Sequence, residues 1–294
     1  MSDIENLSGH THMCALIANP IRHTKAVGMH NASFAHQGID SVYLCFEVEN
    51  EQLPALVQTF KTIGGVDGYN VSMPNKMEIC QYLDELTDAA RLMGAVNTVE
   101  HRDGKAIGHN TDGAGFMRNI KEHGFECVGK RMVMTGAGGA GSAIMVQAAL
   151  DGMAAVDVFN IKDDAFYAAR EKAALVSEET GCRVTIHDLD DRETFGACCQ
   201  QADILVNSTR VGMKPLDDQC LFPEEFIKSG IFVCDVPYNP IKTKLLKMAE
   251  AKGCVAIDGI GMMLWQGAIA EKIWYGFDMD MDYVRGLVEQ HLDL

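Results

Sequence analysis

Residues 131–142, RMVMTGAGGAGS, decide the fold of this chain. The apolar run Met132–Met134 precedes a cluster of glycines, and an apolar, alanine-rich stretch follows over residues 143–150. This order predicts a buried strand, a tight turn and a helix. Three of the glycines have the spacing G-x-G-x-x-G: Gly136, Gly138 and Gly141.

This glycine spacing suits a turn that binds a dinucleotide. The first glycine would allow the sharp turn, the second would let the backbone approach a pyrophosphate, and the third would let the helix pack against its strand. The start of a helix also offers backbone N–H groups and a positive dipole end to phosphate. A glycine string alone is a weak signal, but the strand before it and the helix after it strengthen it. The predicted phosphate-binding residues are Gly136, Ala137, Gly138, Gly139, Ala140 and Gly141.

The composition is typical of a globular enzyme with two domains. The chain has 294 residues, of which 47% are hydrophobic and 22% charged. Its net charge of -16 argues against nucleic acid or a membrane surface as a partner, because both are polyanionic. The first residues are acidic and polar, unlike a signal peptide, and no stretch is apolar enough to span a bilayer. We therefore expect a cytoplasmic protein.

The cysteines and histidines show no metal-binding pattern. There are ten of each, without a C-x-x-C, H-x-x-x-H or H-E-x-x-H spacing. In a chain of this size the cysteines are expected to be reduced, small buried hydrophobes. We predict no metal site and no disulfide framework.

Before the glycine loop (residues 136–141), apolar runs alternate with amphipathic stretches. The stretch 95–110 predicts a hairpin that turns at Arg102-Asp103-Gly104, and Thr111-Asp112 can cap a helix that ends near His123. The first domain is therefore an α/β unit over residues 1–111. Its strands are predicted at 13–18, 41–48 and 68–73, and its helices at 25–36, 51–63, 75–82 and 85–92.

After the glycine loop, strands and helices continue to alternate. This pattern predicts a Rossmann-type, doubly wound parallel sheet over residues 112–259, with ligands at the carboxyl ends of its strands. Residues 260–294 are predicted to be helical and to complete the first domain, which leaves a cleft between the two domains. The later strands are predicted at 154–160, 183–187, 202–207, 231–235 and 254–257, with a helix at 164–179.

Polar residues gather near the ends of the predicted strands, where an α/β enzyme builds its site. Each has an ordinary structural explanation, because Asn and Asp satisfy turns, Asp112 can cap a helix, and an isolated lysine is usually a surface charge. Taken together, however, they indicate a functional site. They are Asn70, Ser72, Lys76, Asn97, Asn110, Asp112, Tyr238 and Gln266.

These residues lie in six motifs that follow one another along the chain. The motifs are NVSMPNK (70–76), GAVNT (94–98), NTDG (110–113), GAGGAG (136–141), YNP (238–240) and WQGA (265–268). Together they resemble the shikimate/quinate dehydrogenase family from about Met13 to Gly276. The resemblance implies an NAD(P)-dependent oxidoreductase that interconverts shikimate and 3-dehydroshikimate, or quinate and 3-dehydroquinate, by hydride transfer. It implies a small anionic polyhydroxylated ring acid as substrate and leaves a homodimer open.

Within this resemblance, Lys76 matches the family's catalytic general acid/base and Asp112 its partner carboxylate. The chemistry suits both roles, because oxidation of a secondary alcohol requires its hydroxyl proton to leave and reduction of a ketone requires one to arrive. The positions that match the family's substrate-binding residues are Thr24, Asn70, Ser72, Asn97, Tyr238 and Gln266.

The chain departs from the family where the substrate carboxylate binds. The family pattern there is H-S-x-S-P, with both serines on the carboxylate, whereas residues 23–27 read HTKAV. Thr24 keeps one hydroxyl and Ala26 removes the other. Losing a hydrogen bond to a charged group costs about 1.5–3 kcal/mol, or about ten- to a hundredfold in affinity. A different shikimate-like hydroxy acid is therefore one alternative. A non-catalytic, cofactor-binding regulatory protein is another, against which the retention of both Lys76 and Asp112 counts.

A second departure concerns the cofactor. NADP-dependent relatives carry Asn-Arg-Ser/Thr after the second strand of the dinucleotide domain, with the arginine on the 2′-phosphate, whereas residues 160–164 read NIKDD. Ile161 cannot pair with phosphate, and Asp163 would accept from a free ribose 2′-OH and repel a phosphate. This pattern is closer to the NAD-using quinate/shikimate branch and predicts NAD, while Lys162 keeps NADP as an alternative. The cofactor-binding positions beyond the glycine loop are Asn160, Lys162, Asp163 and Gly259.

Overall fold

The computed structural model describes residues 7–22 and 24–291 and has an α/β fold. The chain divides into two compact units. The first unit takes in the chain up to Thr111 and resumes at Gln266, and the second unit runs from Asp112 to Trp265. The sequence placed the return to the first unit at residue 260. In the structure this return lies inside a helix, Ile260–Tyr275.

The first unit is built on a six-stranded mixed sheet with the order β2-β1-β3-β5-β6-β4. Strands β1, β2 and β3 are parallel, and β5 runs antiparallel to both β3 and β6. The strands are β1 His12–Ala18, β2 Ser41–Glu47, β3 Val66–Val71, β4 Glu85–Leu86, β5 Thr98–Arg102 and β6 Lys105–His109. Its helices are α1 Ala26–Gln37, α2 Leu53–Thr62, α3 Asn75–Glu78 and α4 Asp88–Met93, followed late in the chain by part of α10 Ile260–Tyr275 and by α11 Met281–His291.

Two predicted helices of this unit start too early. Residues 85–86 form strand β4, which pairs with β6, and the helix begins only after Thr87, whose hydroxyl accepts the Ala90 N–H as an N-cap. Residues 50–52 form a 3-10 turn closed by a capping box, so α2 begins at Leu53. The predicted hairpin is confirmed, with Asp103 at a φ of 53° and Gly104 at 75°, as a two-residue turn requires.

The second unit is a six-stranded parallel sheet with the order β12-β11-β10-β7-β8-β9. This is the doubly wound Rossmann order, whose direction reverses between β7 and β10, so the glycine loop after β7 lies at the point where such sheets bind ligands. The strands are β7 Arg131–Thr135, β8 Ala155–Asn160, β9 Arg183–Asp188, β10 Ile204–Asn207, β11 Phe232–Asp235 and β12 Val255–Ile257. The helices are α5 Thr111–Glu122, α6 Gly139–Leu150, α7 Asp164–Thr180, α8 Arg192–Gln201, α9 Lys244–Ala251 and the first part of α10.

Each unit has its own apolar core against its sheet. In the first unit Ile17, Tyr69 and Val99 are completely buried, and in the second Phe159 and Phe195 stack with their centroids 4.4 Å apart. Burial of this kind is the main favourable term in folding. Among the residues that the structure describes, every helix is too short or too polar to cross a membrane.

The ten cysteines are all free thiols. Four are buried, and burial raises the pKa of Cys182 to about 11 and that of Cys199 to about 12. The other six are partly exposed. The prediction of small buried hydrophobes therefore holds for Cys14, Cys182, Cys199 and Cys234 only.

Candidate functional site

The glycine loop joins β7 to α6 at the carboxyl edge of the second sheet. Gly136 has a φ of +98°, a conformation that favours glycine. A Cβ on Gly141 would lie 2.2 Å from the carbonyl oxygen of Gly136. The turn and the close packing of helix on strand therefore account for the first and third glycines without a ligand.

Gly138 and Gly139 differ from these two glycines. A Cβ on either would meet no heavy atom of residues 7–22 or 24–291 within 4 Å, and neither has a positive φ. The packing of the protein therefore does not require glycine at these positions, whereas a ligand that approaches the backbone would. Gly138 is also the N-cap of α6 and has no side chain to bond the first N–H groups of the helix. This arrangement fits a pyrophosphate, which favours a helix N-terminus.

A loop that sequence analysis missed forms the other side of the glycine turn. Ser208, directly after β10, donates its hydroxyl to the carbonyl oxygens of Thr135 (2.8 Å) and Gly136 (3.1 Å). A Cβ on Gly136 would lie 2.7 Å from the methyl group of Thr209. The signal that could have found this loop is the polar run Asn-Ser-Thr at the end of the apolar strand ADILVN.

A buried carboxyl group, also missed, lies one strand further along. Asp235 at the end of β11 accepts hydrogen bonds from Asn207 Nδ2 (2.7 Å) and Thr243 Oγ1 (2.5 Å). Asn207 in turn accepts from Thr135 Oγ1 at 3.0 Å, which connects this carboxyl to the strand before the glycine loop. Burial raises the pKa of Asp235 to about 7, against the lowering effect of its two hydrogen bonds.

Asn160 ties the end of β8 to the glycine loop. Its Oδ1 accepts the Ala137 N–H at 3.0 Å, and its Nδ2 donates to Asp163 Oδ1 at 2.9 Å. Asp163 is the N-cap of α7, since the same Oδ1 accepts the Phe166 N–H at 3.0 Å. The carboxylate that the sequence assigned to the ribose thus already caps a helix.

Lys162, the residue that kept NADP as an alternative, forms an ion pair with Asp188 at the end of β9. The hydrogen bond from Lys162 to this carboxylate raises the pKa of the lysine. A 2′-phosphate would therefore have to compete with Asp188 for this ammonium group.

The remaining two predicted positions of the second unit lie after β11. A Cβ on Gly259 would lie 1.8 Å from the carbonyl oxygen of Val236, so close backbone packing alone requires glycine there. Tyr238 is partly buried and precedes the cis peptide bond between Asn239 and Pro240.

In the first unit, Asn70 at the carboxyl end of β3 is held by three hydrogen bonds. Tyr43 donates its hydroxyl to Oδ1 at 2.7 Å, and Nδ2 donates to the Asn97 carbonyl oxygen (3.1 Å) and to Thr98 Oγ1 (3.0 Å). The backbone carbonyl can only accept, so it fixes the orientation of the amide. Both amide hydrogens are used within the protein, and what Asn70 can offer a ligand is the second lone pair of Oδ1.

Asn97 sets the start of α5. Its Oδ1 accepts the Thr111 N–H at 2.8 Å, and its Nδ2 donates to Thr111 Oγ1 at 3.0 Å. Thr111 and Asp112 are the first two residues of the helix, so the sequence-based assignment of this pair as a cap is wrong. A side chain fourteen residues earlier, on the other side of the hairpin, bonds the first N–H of the helix instead. Asn110 is buried and donates to the Ala95 carbonyl oxygen at 3.0 Å.

Lys76 lies on the short helix α3, which is fixed on two sides. The buried Asn75 donates its Nδ2 to the Val48 carbonyl oxygen at 2.9 Å, and the Val96 N–H donates to the carbonyl oxygen of Lys76 at 2.8 Å. Ser72, just before the turn, donates its N–H to the Ile17 carbonyl oxygen at 2.9 Å. The backbone of Lys76 is therefore held firmly, and its side chain is partly buried.

Thr24 lies just before α1, and Gln266 lies where the chain returns to the first unit. Thr24 Oγ1 accepts the Ala26 N–H at 3.2 Å, which leaves the hydroxyl hydrogen to donate to a ligand. His23 of the same motif lies outside the described residues. Lys25 is exposed to solvent. Gln266 is partly buried in α10, at the point where the chain returns to the first unit.

The structure brings four predicted residues together within the first unit. Asn70 and Asn97 are hydrogen-bonded neighbours, Lys76 is bonded through its backbone to the residue before Asn97, and Ser72 follows β3 by one residue. These four residues carry hydroxyl, amide and ammonium groups, the types of group that bind a polyhydroxylated ligand. Asp112, Tyr238 and the predicted cofactor-binding residues belong to the second unit.

One cluster of described side chains has donor atoms close enough to hold a metal ion: Asp157, His187 and Cys198, whose donor atoms lie within 4.8 Å of one another. The buried Asp157 already accepts from His187 Nε2 and from Arg183 Nη2, both at 2.9 Å. Burial raises the pKa of Asp157, but these two partners more than offset it and leave the pKa below its ordinary value. The arginine and histidine account for this carboxylate as a structural ion pair.

Comparison with known proteins gives concordant matches. A family model described as the shikimate dehydrogenase substrate binding domain matches residues 16–99. The shikimate dehydrogenase (NADP(+)) of Listeria monocytogenes serotype 4b (strain F2365) is 46% identical over 286 residues, which cover 97% of this chain and 98% of that protein. The quinate/shikimate dehydrogenase of Escherichia coli (strain SMS-3-5 / SECEC) is 43% identical over 281 residues, covering 95% and 97%. The crystal structure of shikimate 5-dehydrogenase from Listeria monocytogenes in complex with shikimate and NAD aligns with a TM-score of 0.93 at 45% identity, covering 96% of this chain and 98% of that one.

Proposed function

The chain belongs to the shikimate/quinate dehydrogenase family, and from that premise we propose that it is an NAD(P)-dependent oxidoreductase that interconverts shikimate and 3-dehydroshikimate. The observation that carries this proposal is the group of Asn70, Ser72, Lys76 and Asn97 in the first unit. The backbone of Lys76 on α3 is hydrogen-bonded to the residue before Asn97, and the Asn70 amide is hydrogen-bonded to the Asn97 carbonyl oxygen, so these side chains start from neighbouring backbone positions.

We assign the proton transfer to Lys76. Oxidation of the ring alcohol requires a base for the hydroxyl proton, and the reverse reaction requires an acid that returns it to the carbonyl oxygen. In the oxidation the neutral Lys76 amine would accept the hydroxyl proton, and in the reduction the Lys76 ammonium would return a proton to the carbonyl oxygen. Family resemblance assigns Asp112 as its partner carboxylate. The nicotinamide dinucleotide, when bound, supplies the hydride acceptor or donor.

Other residues of the first unit would bind and orient the ring acid. Asn70 Oδ1 would accept a hydrogen bond from a ring hydroxyl, because both of its amide hydrogens are already used. The Thr24 hydroxyl would donate to the substrate carboxylate, since its oxygen already accepts the Ala26 N–H. Ser72, Asn97 and Gln266 of the first unit and Tyr238 of the second unit complete the set that the resemblance implies.

For the cofactor we propose a preference for NAD over NADP. The glycine loop would hold the pyrophosphate of either dinucleotide at the open backbone of Gly138 and Gly139. Around the end of β8, Lys162 is paired with Asp188, and Asp163 adds a second carboxylate. A 2′-phosphate would meet repulsion there, whereas a ribose hydroxyl would not.

The test is the formation of reduced nicotinamide, followed by its absorbance, with shikimate and with quinate, each against NAD and NADP. Turnover of shikimate with a higher kcat/KM for NAD is the expected result. Higher kcat/KM with NADP would contradict the cofactor preference and leave the reaction standing. Binding of the dinucleotide without turnover of either acid would contradict the reaction.

Ala26 favours a second candidate function, the same chemistry on a related hydroxy acid. The position carries no hydroxyl, and the backbone N–H of Ala26 is taken by Thr24 Oγ1, so the carboxylate contacts are fewer than in the family pattern. The variant Ala26→Ser separates the two candidates. If shikimate is the substrate, the added hydroxyl should lower its KM by about tenfold. An unchanged KM would favour a ring acid whose acidic group binds elsewhere.

A further inference from the structure

Three polar side chains of the first unit are buried together and take no part in the chemistry proposed above. Glu271 is 0% exposed, His30 is 1% exposed and Ser33 is 1% exposed. His30 Nδ1 lies 2.6 Å from Glu271 Oε1, and Ser33 Oγ donates to Glu271 Oε2 at 2.6 Å. A buried carboxylate is costly unless it is paired and hydrogen-bonded, and both conditions are met here. The Glu271 carboxylate thus occupies a position where an apolar side chain could be buried at a lower cost in free energy.

The cluster joins helix α10 to helix α1. Glu271 belongs to α10, and it shares one helical face with Gly267 and Trp274, which lie four residues before it and three after it. A Cβ on Gly267 would lie 2.6 Å from Met29 Cε, and Trp274 Nε1 donates to the Val99 carbonyl oxygen at 3.0 Å. These contacts fix both the rotation of α10 about its axis and its position along α1.

Three predicted substrate-binding residues depend on the same helices. Gln266 directly precedes Gly267 on α10, and Thr24 bonds the first residue of α1. The His30 ring stacks on Tyr43 at a centroid distance of 4.3 Å, and the Tyr43 hydroxyl holds Asn70 Oδ1. The cluster therefore connects to Thr24, Asn70 and Gln266 by one short chain of contacts each.

We propose that Glu271, acting through His30 and Ser33, is a positioning residue for the ring-acid half of the site. The inference rests on the proposed function, because it takes Thr24, Asn70 and Gln266 as the substrate contacts. Loss of the Glu271 carboxylate should weaken binding of the ring acid and leave binding of the dinucleotide unaffected. The predicted dinucleotide-binding residues all belong to the second unit.

The experiment compares Glu271→Ala with Glu271→Gln in the full-length protein. The glutamine keeps a carbonyl oxygen for His30 and an amide for Ser33, so it should restore the hydrogen bonds that alanine removes. We expect Glu271→Ala to raise the KM for shikimate by about tenfold or more while the Kd for NAD stays within about twofold, and Glu271→Gln to recover most of the loss. If the KM for shikimate is unchanged, or if it and the Kd for NAD rise together, the positioning role is wrong.

A matched control is available on α1, the helix that carries His30 and Ser33. His36 of α1 pairs with Asp280 at 3.1 Å, but both side chains are about 40% exposed. His36→Ala therefore breaks a histidine–carboxylate pair without disturbing the buried cluster, and both constants should stay within about twofold. If Glu271→Ala fails to fold, Ser33→Ala removes only one of the two bonds to the carboxylate. It should then raise the KM for shikimate by a few fold with the Kd for NAD unchanged.

Hydrogen–deuterium exchange separates failure of this inference from failure of the proposed function. Glu271→Ala should speed exchange in peptides that contain residues 24–29 and 262–270, and Glu271→Gln should not. This readout needs no substrate, so it decides the positioning role even if the wild-type protein turns over no ring acid. Unchanged exchange in both segments would overturn the inference.

Discussion

Asn97 holds the backbone of Thr111, with 2.8 Å between Asn97 Oδ1 and the Thr111 nitrogen. The bond joins the residue before β5 to the first residue of α5, and Asp112 is the next residue along. The backbone position of Asp112, the proposed partner carboxylate, therefore depends on an amide that is itself a predicted substrate contact. One side chain thus sets the local structure and would also set part of the proposed site.

Replacing Asn97 with alanine should affect stability and turnover together. The change leaves the buried Thr111 N–H without its acceptor and should lower the free energy of unfolding by about 1–3 kcal/mol. It should also lower kcat, because the start of α5 is no longer fixed. Urea unfolding and steady-state kinetics measure the two effects. Asn97→Asp keeps the acceptor and should lose less stability, and equal losses in both variants would contradict this account.

Lys76→Ala should abolish most turnover without weakening dinucleotide binding. Removal of a general acid/base costs about 10²–10⁴-fold in kcat. Titration of NAD by fluorescence supplies the second measurement. The exposed Lys105, which pairs with Glu85, offers a control in Lys105→Ala, and its kcat should stay near that of the wild type. Near-normal turnover in Lys76→Ala would remove the assigned role.

Alanine at two glycines of the loop should change different properties, the affinity for NAD at Gly138 and the melting temperature at Gly141. At Gly138 the added Cβ meets open space, so the protein should keep its melting temperature while its affinity for NAD falls by about tenfold or more. At Gly141 the Cβ would lie 2.2 Å from the Gly136 carbonyl oxygen, so Gly141→Ala should lower the melting temperature itself. Thermal melts with and without NAD distinguish the two. A Gly138→Ala variant that binds NAD normally would argue against a pyrophosphate at this backbone.

Ile161→Arg should shift the cofactor preference toward NADP. Ile161 is 56% exposed beside Lys162, and a guanidinium there could bind a phosphate with two hydrogen bonds. We expect kcat/KM for NADP to rise by about tenfold, with a small change for NAD. Ile161→Met is the neutral control. If the arginine and methionine variants have the same ratio of NADP to NAD activity, the 2′-phosphate does not bind at this position.

The buried Asp235 should make stability depend on pH. Its pKa of about 7 lies above the ordinary value of 3.8, so the folded protein holds a proton that the unfolded chain has lost. Stability should therefore fall as the pH rises from about 4 to about 7, with a slope of up to about 1.4 kcal/mol per pH unit from this group.

Asp235→Asn isolates this contribution from other titrating groups. The amide can still bond Asn207 and Thr243, but it carries no proton to lose. The free energy of unfolding, measured by urea at several pH values, should differ between variant and wild type by a term that grows over this window. Parallel profiles would mean that Asp235 does not titrate there.

Local sequence patterns predicted most of the fold. Apolar runs indicated the strands of both units, and Asp103-Gly104 indicated the hairpin turn. The strand Glu85–Leu86 was missed because two residues are too few to show alternation, and its pairing with β6 depends on a segment twenty residues later.

The candidate site was less accessible from the sequence. The motifs indicated Asn70, Asn97 and Lys76 as site residues. They did not predict that the Tyr43 hydroxyl orients Asn70, or that the Asn97 side chain accepts the first N–H of α5. Ser208 and Asp235 also went unnoticed. These contacts join residues far apart in the chain, and such hydrogen-bonded pairs have no period that a single sequence displays.

The first unit consists of two chain segments, so it cannot complete its fold at the ribosome until the second segment has been made. Residues 112–265 emerge as one continuous piece, whereas β1, β2 and α1 wait for the last part of the chain. Until α10 arrives, His30 and Ser33 lack the carboxylate of Glu271, and the surface over Gly68 lacks the Trp274 ring that covers it. The N-terminal segment of this unit thus completes its core only after α10 is made, and we expect it to expose apolar surface until then.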